Sequence, residues 1–321
     1  MGPILITGAS GCVGHYLVDR LLQLTDRPLW LLVRSPQKLQ FDWQNHPQIE
    51  VLAGDLRELD RFADRLKQVQ TAILAATCWG GPETFAVNVG QNQALMDGLD
   101  PDRCDQILYF STASVLGRDG HLLSEALQLG TDYIRSKAEC TQQLTDRPLA
   151  DRITAIYPTI VLGGDRDKPY SEPTKGLPEA LRYISLIRRL KVDGSFHFVH
   201  AADIARVVAH LALNPPSEPG PRHFVLGQPA LTANELVDIA STVLKGRPAR
   251  LKIPLSVGLA DRLIDWFNIQ MGPWDRFCMA YRHFTYDQVW SPASFGLETA
   301  YPTLADILRQ YGRSEVSGAK R

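Results

Sequence analysis

A tyrosine and a lysine stand four positions apart in the sequence YIRSK, as Tyr133 and Lys137. The surrounding pattern predicts a helix over residues 131–144, and side chains four apart project from the same face of a helix. A phenol has an ordinary pKa of about 10 and exchanges protons poorly at neutral pH. A neighbouring ammonium favours the phenolate and lowers that pKa. The pair therefore predicts a general acid/base in which Tyr133 moves the proton.

Hydroxyl side chains lie upstream, where the apolar run QILYF passes into Ser111, Thr112 and Ser114. The run predicts a strand, and groups at the carboxyl end of a strand in a parallel sheet face the ligand crevice. A hydroxyl at this place can meet the phenol of Tyr133 across a bound carbonyl group. The three hydroxyls are therefore candidates for orienting the oxygen of a substrate.

A glycine-rich turn follows the first apolar run, ILIT, and precedes a predicted helix. Gly8 permits a tight turn, Gly11 lets the backbone approach a pyrophosphate, and Gly14 allows the helix to pack closely on the sheet. The free N–H groups and the positive end of the helix dipole favour an anion. The turn therefore predicts a dinucleotide-binding site. Its other candidate cofactor contacts are Ser10, Cys12 and Val13.

The position that selects between NAD and NADP holds a cation. Dinucleotide-binding folds place Asp or Glu roughly 20 residues beyond the glycines to bind the ribose 2′-hydroxyl, whereas Arg there accommodates a 2′-phosphate. In this sequence Arg34 stands at that place, and no carboxylate occurs between Trp30 and Gln40. We therefore expect a preference for NADP(H), with NAD(H) as the alternative.

The elements that must position these residues alternate through the first half of the chain. Short continuous apolar runs, such as LWLLV and TAILA, are separated by stretches with helical periodicity. This order predicts βαβ units and a parallel sheet covered by helices on both faces. The predicted fold class is α/β, a Rossmann-type doubly wound parallel sheet with a smaller, mostly helical C-terminal substrate lobe.

The regularity breaks where the sequence GGDRDKPYSEPTKG begins, and this sets the predicted domain boundaries. The prediction is a dinucleotide-binding Rossmann domain over 1–162, with 197–228 returning to it, a substrate lobe over 163–196 and 229–312, and a flexible tail over 313–321.

Three local predictions concern the second half of the chain. The spacing of apolar residues predicts helices over 178–190 and 254–267. The run SFHFVH predicts a single strand. Asp203, which follows that strand, is expected to serve mainly the boundary between the lobes and to cap the helix that begins there.

Bulk composition excludes several function classes. The chain of 321 residues has 34 Lys and Arg against 35 Asp and Glu, a net charge of −1, so no overall field recruits nucleic acid. No apolar run approaches the ~18 residues that a membrane span needs, and no signal peptide is apparent. The five scattered cysteines predict free thiols in a reducing compartment and no metal site. We expect a cytoplasmic protein with a small-molecule substrate, and a homodimer is compatible with the sequence.

Taken together, these motifs resemble the extended short-chain dehydrogenase/reductase family, which includes NAD(P)-dependent epimerases and dehydratases. The resemblance covers nearly the whole chain to about residue 310. The motifs that carry it are TGASGCVG, the GDL at Gly54–Leu56, Ala75 and Ala76, the NVGQN that begins at Asn88, FSTASVLG, YIRSK, YPTIVLGG and FVHAADIA.

The resemblance implies roles for these residues. Tyr133 would be the general acid/base, Lys137 would bind the nicotinamide ribose and lower the Tyr133 pKa, and Thr112 would orient the substrate oxygen. The implied cofactor contacts are Asp55 and Leu56 near the adenine, Ala75 and Ala76 along the cofactor strand, Asn88 in support of the active-site helix, and Pro158 to Ile160 along the nicotinamide.

Three functions remain open from the sequence. The first is an NADP(H)-dependent reductase or dehydrogenase that acts on a carbonyl or secondary alcohol of a fairly apolar substrate. The second is a nucleotide-sugar epimerase or dehydratase that keeps NAD tightly bound. The third is a cofactor-binding assembly or regulatory protein without turnover, because a fold alone does not determine function.

Overall fold

The protein is built from short strands and helices that alternate along the chain. The computed structural model describes residues 1–246, 253–254, 258 and 270–318. In chain order the strands are β1 (Ile4–Thr7), β2 (Leu29–Val33), β3 (Ile49–Ala53), β4 (Thr71–Leu74), β5 (Gln106–Phe110), β6 (Ile153–Pro158), β7 (Ile160–Leu162), β8 (Leu190–Lys191), β9 (Ser195–Phe196), β10 (Phe198–His200), β11 (Arg222–Leu226), β12 (Leu231–Thr232), β13 (Ile253–Pro254) and β14 (His283–Phe284).

The helices vary in length from one turn to four. The described α-helices are α1 (Cys12–Leu24), α2 (Ala63–Leu66), α3 (Asn92–Asp97), α4 (Ser124–Gln128), α5 (Asp132–Gln142), α6 (Glu172–Arg182), α7 (Ile184–Ile187), α8 (Ala201–Leu213), α9 (Ala233–Lys245), α10 (Pro273–Tyr281) and α11 (Leu304–Gly318). Among the residues described, no helix is both long and apolar enough to cross a membrane.

Seven parallel strands form the central sheet in the order β3-β2-β1-β4-β5-β6-β11. The strands β2 and β3 lie on one side of β1, whereas β4 and the strands that follow it lie on the other side. The strand order therefore reverses between β1 and β4. Ligands of doubly wound sheets bind at this reversal, beyond the carboxyl ends of the strands. The predicted α/β doubly wound fold is confirmed.

Helices cover both faces of the sheet because successive side chains of a buried strand point to opposite faces. In β1, Ile4 and Ile6 belong to one core cluster, together with Leu17 of α1 and Val208 of α8. Leu5 belongs to the other cluster, which includes side chains of α3 and α5. The central strands are therefore mostly apolar on both faces, with a few polar residues such as Thr7 and Gln106.

A smaller core lies among the later elements. Its buried members are Leu162, Ile184, Phe198, Ala240, Leu304, Ile307 and Leu308. Short strand pairs border it, with β7 beside β10 and β9 between β12 and β14. The elements α8 and β11 belong instead to the larger part of the fold, because α8 packs on α1 and β11 pairs with β6 of the central sheet.

The structure corrects several local predictions. The helix expected from residue 178 begins earlier, at Glu172, with Pro173 in its first turn and Pro178 inside it. Proline is favoured in a first turn, which marks Pro173 as the better start signal. The final helix runs to Gly318 and so enters the segment 313–321, whose flexibility stays a prediction. The helix predicted over 254–267 lies almost entirely outside the described residues.

The run SFHFVH is divided at His197 rather than forming one strand. Its first half pairs with β12 and β14, and its second half pairs with β7. Asp203 does not cap its own helix, since the side chain of His200 accepts from the N–H of Ala202 at 3.1 Å. The buried Asp203 carboxylate instead accepts from the N–H groups of Ala300 and Tyr301, at 2.6 and 3.1 Å. It therefore fastens a distant segment to α8.

Candidate active site

The glycine turn lies at the strand-order reversal, between β1 and α1. Gly8 has a φ of +75°, and a Cβ there would stand 2.6 Å from the backbone of Ala75. A Cβ on Gly14 would stand 2.2 Å from the carbonyl oxygen of Gly8. These contacts explain why both positions require glycine, one for the turn and one for the approach of the helix to the strand.

Gly11 differs because a Cβ there would approach only the carbonyl oxygen of Gly8, at 3.3 Å. It is the N-cap of α1, and no side chain caps the helix. The first N–H groups of α1 are therefore left for an anionic ligand, and the absence of a Cβ keeps the approach open. This cradle fits the pyrophosphate of a nicotinamide dinucleotide.

The end of β2 carries an exposed cation. The side chain of Arg34 is 71% exposed, and its nearest carboxylate oxygen, on Asp55, lies 3.8 Å away. Asp55 is held more closely by Arg57, which donates from its backbone N–H and from its guanidinium at 2.9 and 3.0 Å. These hydrogen bonds lower the pKa of the Asp55 carboxyl. Arg34 is thus only loosely paired and remains accessible to a phosphate.

Tyr133 and Thr112 meet at the carboxyl end of β5. Thr112 is the second residue beyond the strand, next to Ser111. Tyr133 is in the first turn of α5, where Thr131 caps the helix. Both side chains line the same cavity, and the Thr112 hydroxyl lies near enough to act on the pKa of the Tyr133 phenol. Ser111 does not join them, because its hydroxyl bonds to that of Thr141 at 2.9 Å. All three candidate hydroxyl residues line the cavity, and Thr112 is the one that acts on the pKa of Tyr133.

Lys137 lies one turn further along α5 and is 1% exposed. Its ammonium donates to the carbonyl oxygen of Phe110 at 2.7 Å and lies over the ring of Tyr109. Burial lowers the pKa of Lys137 to about 8. Burial also raises the pKa of Tyr133 to about 12, although the neighbouring Thr112 hydroxyl opposes this change. The lowering of the Tyr133 pKa that the YxxxK spacing predicts is not seen, because the loss of hydration on burial is the largest effect on the phenol.

A cavity of about 640 Å³ connects these groups. It is lined by most of the predicted site residues, namely Gly8, Ser10, Gly11, Cys12, Val13, Gly14, Ala75, Thr112, Tyr133, Lys137, Pro158 and Ile160. The other predicted residues do not line it, namely Arg34, Asp55, Leu56, Ala76 and Asn88. Within the described part of the chain, no three His, Cys, Asp or Glu side chains come together as a metal site.

Asn88 lies behind the cavity wall and joins two of its segments. Its amide donates to the carbonyl of Cys78 at 2.8 Å and to the hydroxyl of Ser136 at 3.0 Å. Its oxygen accepts from the N–H of Cys78 at 2.8 Å and from the hydroxyl of Thr77 at 3.2 Å. Ser136 belongs to α5, so one buried side chain connects the segment after β4 to the helix that carries Tyr133.

Several cavity residues were not predicted from the sequence. They are mostly aromatic and lie far apart in the chain, namely Trp79, Tyr170, Phe196, Trp274, Phe284 and Tyr286. Trp79 stacks on the ring of Tyr133, with 4.5 Å between ring centres and 27° between planes. The only sequence signal for it is an isolated tryptophan beside two glycines in the segment after β4. Without knowledge of the fold, the sequence does not distinguish such a residue from an ordinary loop tryptophan.

Known proteins with the same architecture include sugar-modifying enzymes. A dTDP-glucose 4,6-dehydratase of Bacillus anthracis, in complex with NAD, superposes with a TM-score of 0.69 and 14% identity, over 100% of this chain and 98% of that one. A dTDP-glucose 4,6-dehydratase of Streptomyces venezuelae gives a TM-score of 0.70 and 17% identity, over 99% and 98% of the two chains. At these identities the likeness concerns the fold.

A sequence relative is the 3 beta-hydroxysteroid dehydrogenase/Delta 5→4-isomerase of Mycobacterium tuberculosis, which is 33% identical over 127 residues. The match spans 36% of this chain and about a third (33%) of the relative. The model of the NAD-dependent epimerase/dehydratase family matches residues 4–227, which include the glycine turn, Thr112, Tyr133 and Lys137. The chain therefore belongs to the NAD-dependent epimerase/dehydratase family.

Proposed function

We propose that the protein is an NADP(H)-dependent oxidoreductase that transfers hydride to or from the carbonyl or secondary alcohol of a small, fairly apolar substrate. The observation that carries the proposal is that Tyr133 and Thr112 line one cavity together with the glycine turn. A substrate oxygen held by these two hydroxyls would lie in the same space as a dinucleotide bound at the turn.

Tyr133 serves as the proton donor in reduction. With its pKa raised by burial, the phenol is protonated at neutral pH and can give its proton to the carbonyl oxygen. Thr112 orients that oxygen by hydrogen bonding. When bound, the nicotinamide supplies hydride chemistry at the carbonyl carbon. The phenolate left on Tyr133 regains a proton from solvent, and oxidation of the alcohol runs through the same steps in reverse.

Lys137 and the rest of the turn act on the cofactor in this proposal. The Lys137 side chain lines the cavity and would donate to the nicotinamide ribose, while the N-terminus of α1 would hold the pyrophosphate. Arg34 supports NADP(H) over NAD(H), because an exposed and loosely paired guanidinium at the end of β2 can bind a 2′-phosphate.

An apolar substrate is supported by the charges that line the cavity. Of its described cations, Lys175 pairs with Glu172 at 2.6 Å and Arg282 pairs with Asp193 at 2.6 Å. Lys137 is occupied by a backbone carbonyl. With Lys137 assigned to the nicotinamide ribose, neither of the other two cations is unpaired, which disfavours the diphosphate of a nucleotide sugar as the substrate group. A nucleotide-sugar epimerase or dehydratase with tightly bound NAD remains the second candidate, because structural neighbours of this chain are dehydratases solved with NAD.

The test compares the wild-type protein with Tyr133→Phe. We expect the wild type to oxidise NADPH in the presence of simple ketones, and Tyr133→Phe to bind NADPH normally while turnover falls by about 100-fold or more. Protein that is isolated with stoichiometric NAD and shows no net NADPH turnover would favour the epimerase or dehydratase. Equal turnover by Tyr133→Phe would contradict the proposed role of the phenol. The homodimer and the cytoplasmic location stay predictions.

A further inference from the structure

Trp79 is an exposed aromatic side chain at the centre of the candidate site. It is 59% exposed, although most large apolar side chains of the chain are buried. One face of its indole lies against the Tyr133 ring, with 4.5 Å between centres. The same side chain lines the cavity that contains the Tyr133 and Thr112 hydroxyls. An indole left open inside a ligand cavity is a surface that a bound apolar group can cover.

The backbone that precedes this indole is held by hydrogen bonds with Asn88. Asn88 bonds both the N–H and the carbonyl of Cys78, the residue before Trp79. Asn88 also bonds Ser136, three residues after Tyr133 on α5. The two stacked rings are therefore held by segments that one side chain joins. Gly81, two residues after the tryptophan, has a φ of +91°.

Other aromatic side chains line the same cavity from the C-terminal part of the chain. They include Trp274 of α10, Phe284 of β14 and the buried Tyr286. The hydroxyl of Tyr286 donates to the carbonyl of Ala113 at 2.6 Å, which places its ring beside Thr112. Ring faces and edges therefore border the space around the proton donor, and the cavity's cations have carboxylate or carbonyl partners.

We propose that Trp79 is a specificity-determining residue that selects substrates with a flat ring next to the reacting carbonyl. The ring would lie against the open face or edge of the indole, which places the carbonyl oxygen at the Tyr133 and Thr112 hydroxyls. This inference rests on the proposed function and deepens it by naming the substrate class. Stacked aromatic groups gain free energy beyond simple burial, whereas a flexible chain or a puckered ring does not stack at the same distance.

Three methyl ketones of equal carbon number separate stacking from bulk: acetophenone, cyclohexyl methyl ketone and 2-octanone. Their dissociation constants can be measured by ligand-observed NMR on the whole protein, both alone and with NADP+. We expect the wild type to bind acetophenone about tenfold more tightly than either other ketone. In Trp79→Ala the ratio of the acetophenone to the 2-octanone affinity should fall about tenfold, and in Trp79→Phe it should stay within about threefold of the wild type.

A matched control is Tyr183→Ala, which removes an aromatic side chain of similar exposure, 58%, outside the cavity. It should leave the ratio unchanged. The inference is overturned if the wild type shows no preference, through equal binding or no binding, or if folded Trp79→Ala gives the same ratio as the wild type. Binding needs no turnover, so a preference that persists without NADPH oxidation would overturn the proposed function and leave this inference standing.

Discussion

The ammonium of Lys137 donates to the carbonyl oxygen of Phe110 at 2.7 Å, in a site where the lysine is 1% exposed. A charge at such a place loses its hydration, and this is why burial lowers the pKa of Lys137 from 10.5 to about 8. The folded protein thus holds a charged group at a cost in stability. That cost is present below the folded pKa and disappears as the pH rises to the unfolded pKa.

The first prediction concerns the variant Lys137→Met. Between about pH 8 and about pH 10.5, the free energy of unfolding of the wild type should rise relative to that of the variant, by about 3 kcal/mol in total. Below about pH 8 the difference should be constant. Urea unfolding of both proteins across this range measures it, and other titrating groups cancel because both proteins contain them. If the free energies of unfolding of the two proteins differed by the same amount at every pH, burial would not destabilise the ammonium.

The second prediction separates the glycines of the turn. Gly14→Ala places a methyl group 2.2 Å from the Gly8 carbonyl oxygen and should destabilise the protein by about 3 kcal/mol. Gly11→Ala meets its nearest atom at 3.3 Å and should cost less than about 1 kcal/mol. Its NADPH affinity should nevertheless fall by at least about tenfold, since the methyl group enters the anion cradle. Urea unfolding and fluorescence titration measure these effects, and equal stability of the two variants would contradict the assignment.

The third prediction concerns the cofactor's 2′-phosphate. Arg34→Ala should weaken NADPH binding by about tenfold or more and leave NADH binding within about twofold, because a charge-assisted hydrogen bond is lost only with NADPH. Arg61→Ala is the control, since Arg61 is also exposed but pairs with Glu58 at 2.8 Å. Fluorescence titration with both nucleotides decides the matter. Tighter binding of NADH by the wild type, unchanged in Arg34→Ala, would reverse the predicted preference.

The fourth prediction follows from the raised pKa of Tyr133, about 12. A group that stays protonated supplies acid over the whole neutral range, so the rate of carbonyl reduction should be flat from about pH 6 to about pH 9. Alcohol oxidation needs the phenolate, and its rate should rise about tenfold per pH unit over the same range. Initial rates in both directions test this. An oxidation rate that levels off near pH 7 would mean that the bound cofactor and Lys137 lower the pKa of the phenol to about that pH.

Local sequence rules predicted the parts of the site that lie at fixed positions on regular elements. The glycine turn follows from a strand, a turn and a helix in sequence, and the structure places Gly8 and Gly14 where only glycine fits. Tyr133 and Lys137 lie on one helix, so their separation was set by helical geometry. Thr112 follows the carboxyl end of a strand of a parallel sheet, which directs it to the crevice.

The sequence could not predict contacts between residues that only the fold brings together. Trp79 meets Tyr133 across more than fifty positions of the chain, and Asp203 meets Ala300 across nearly a hundred. Propensity near Asp203 favours a local cap, but His200 already fills that role. The behaviour of Lys137 is similar, because its pKa depends on burial by the tertiary structure rather than on its spacing from Tyr133.

The edge strand β11 is synthesised long after its neighbour β6. β6 ends at Pro158, yet its outer neighbour β11 spans Arg222–Leu226, and α8, which covers α1, ends at Leu213. During synthesis on the ribosome, more than sixty further residues must therefore be added after β6 before β11 can pair with its outer edge. Until then the strand presents free backbone donors and acceptors, a surface that other unfinished chains can pair with.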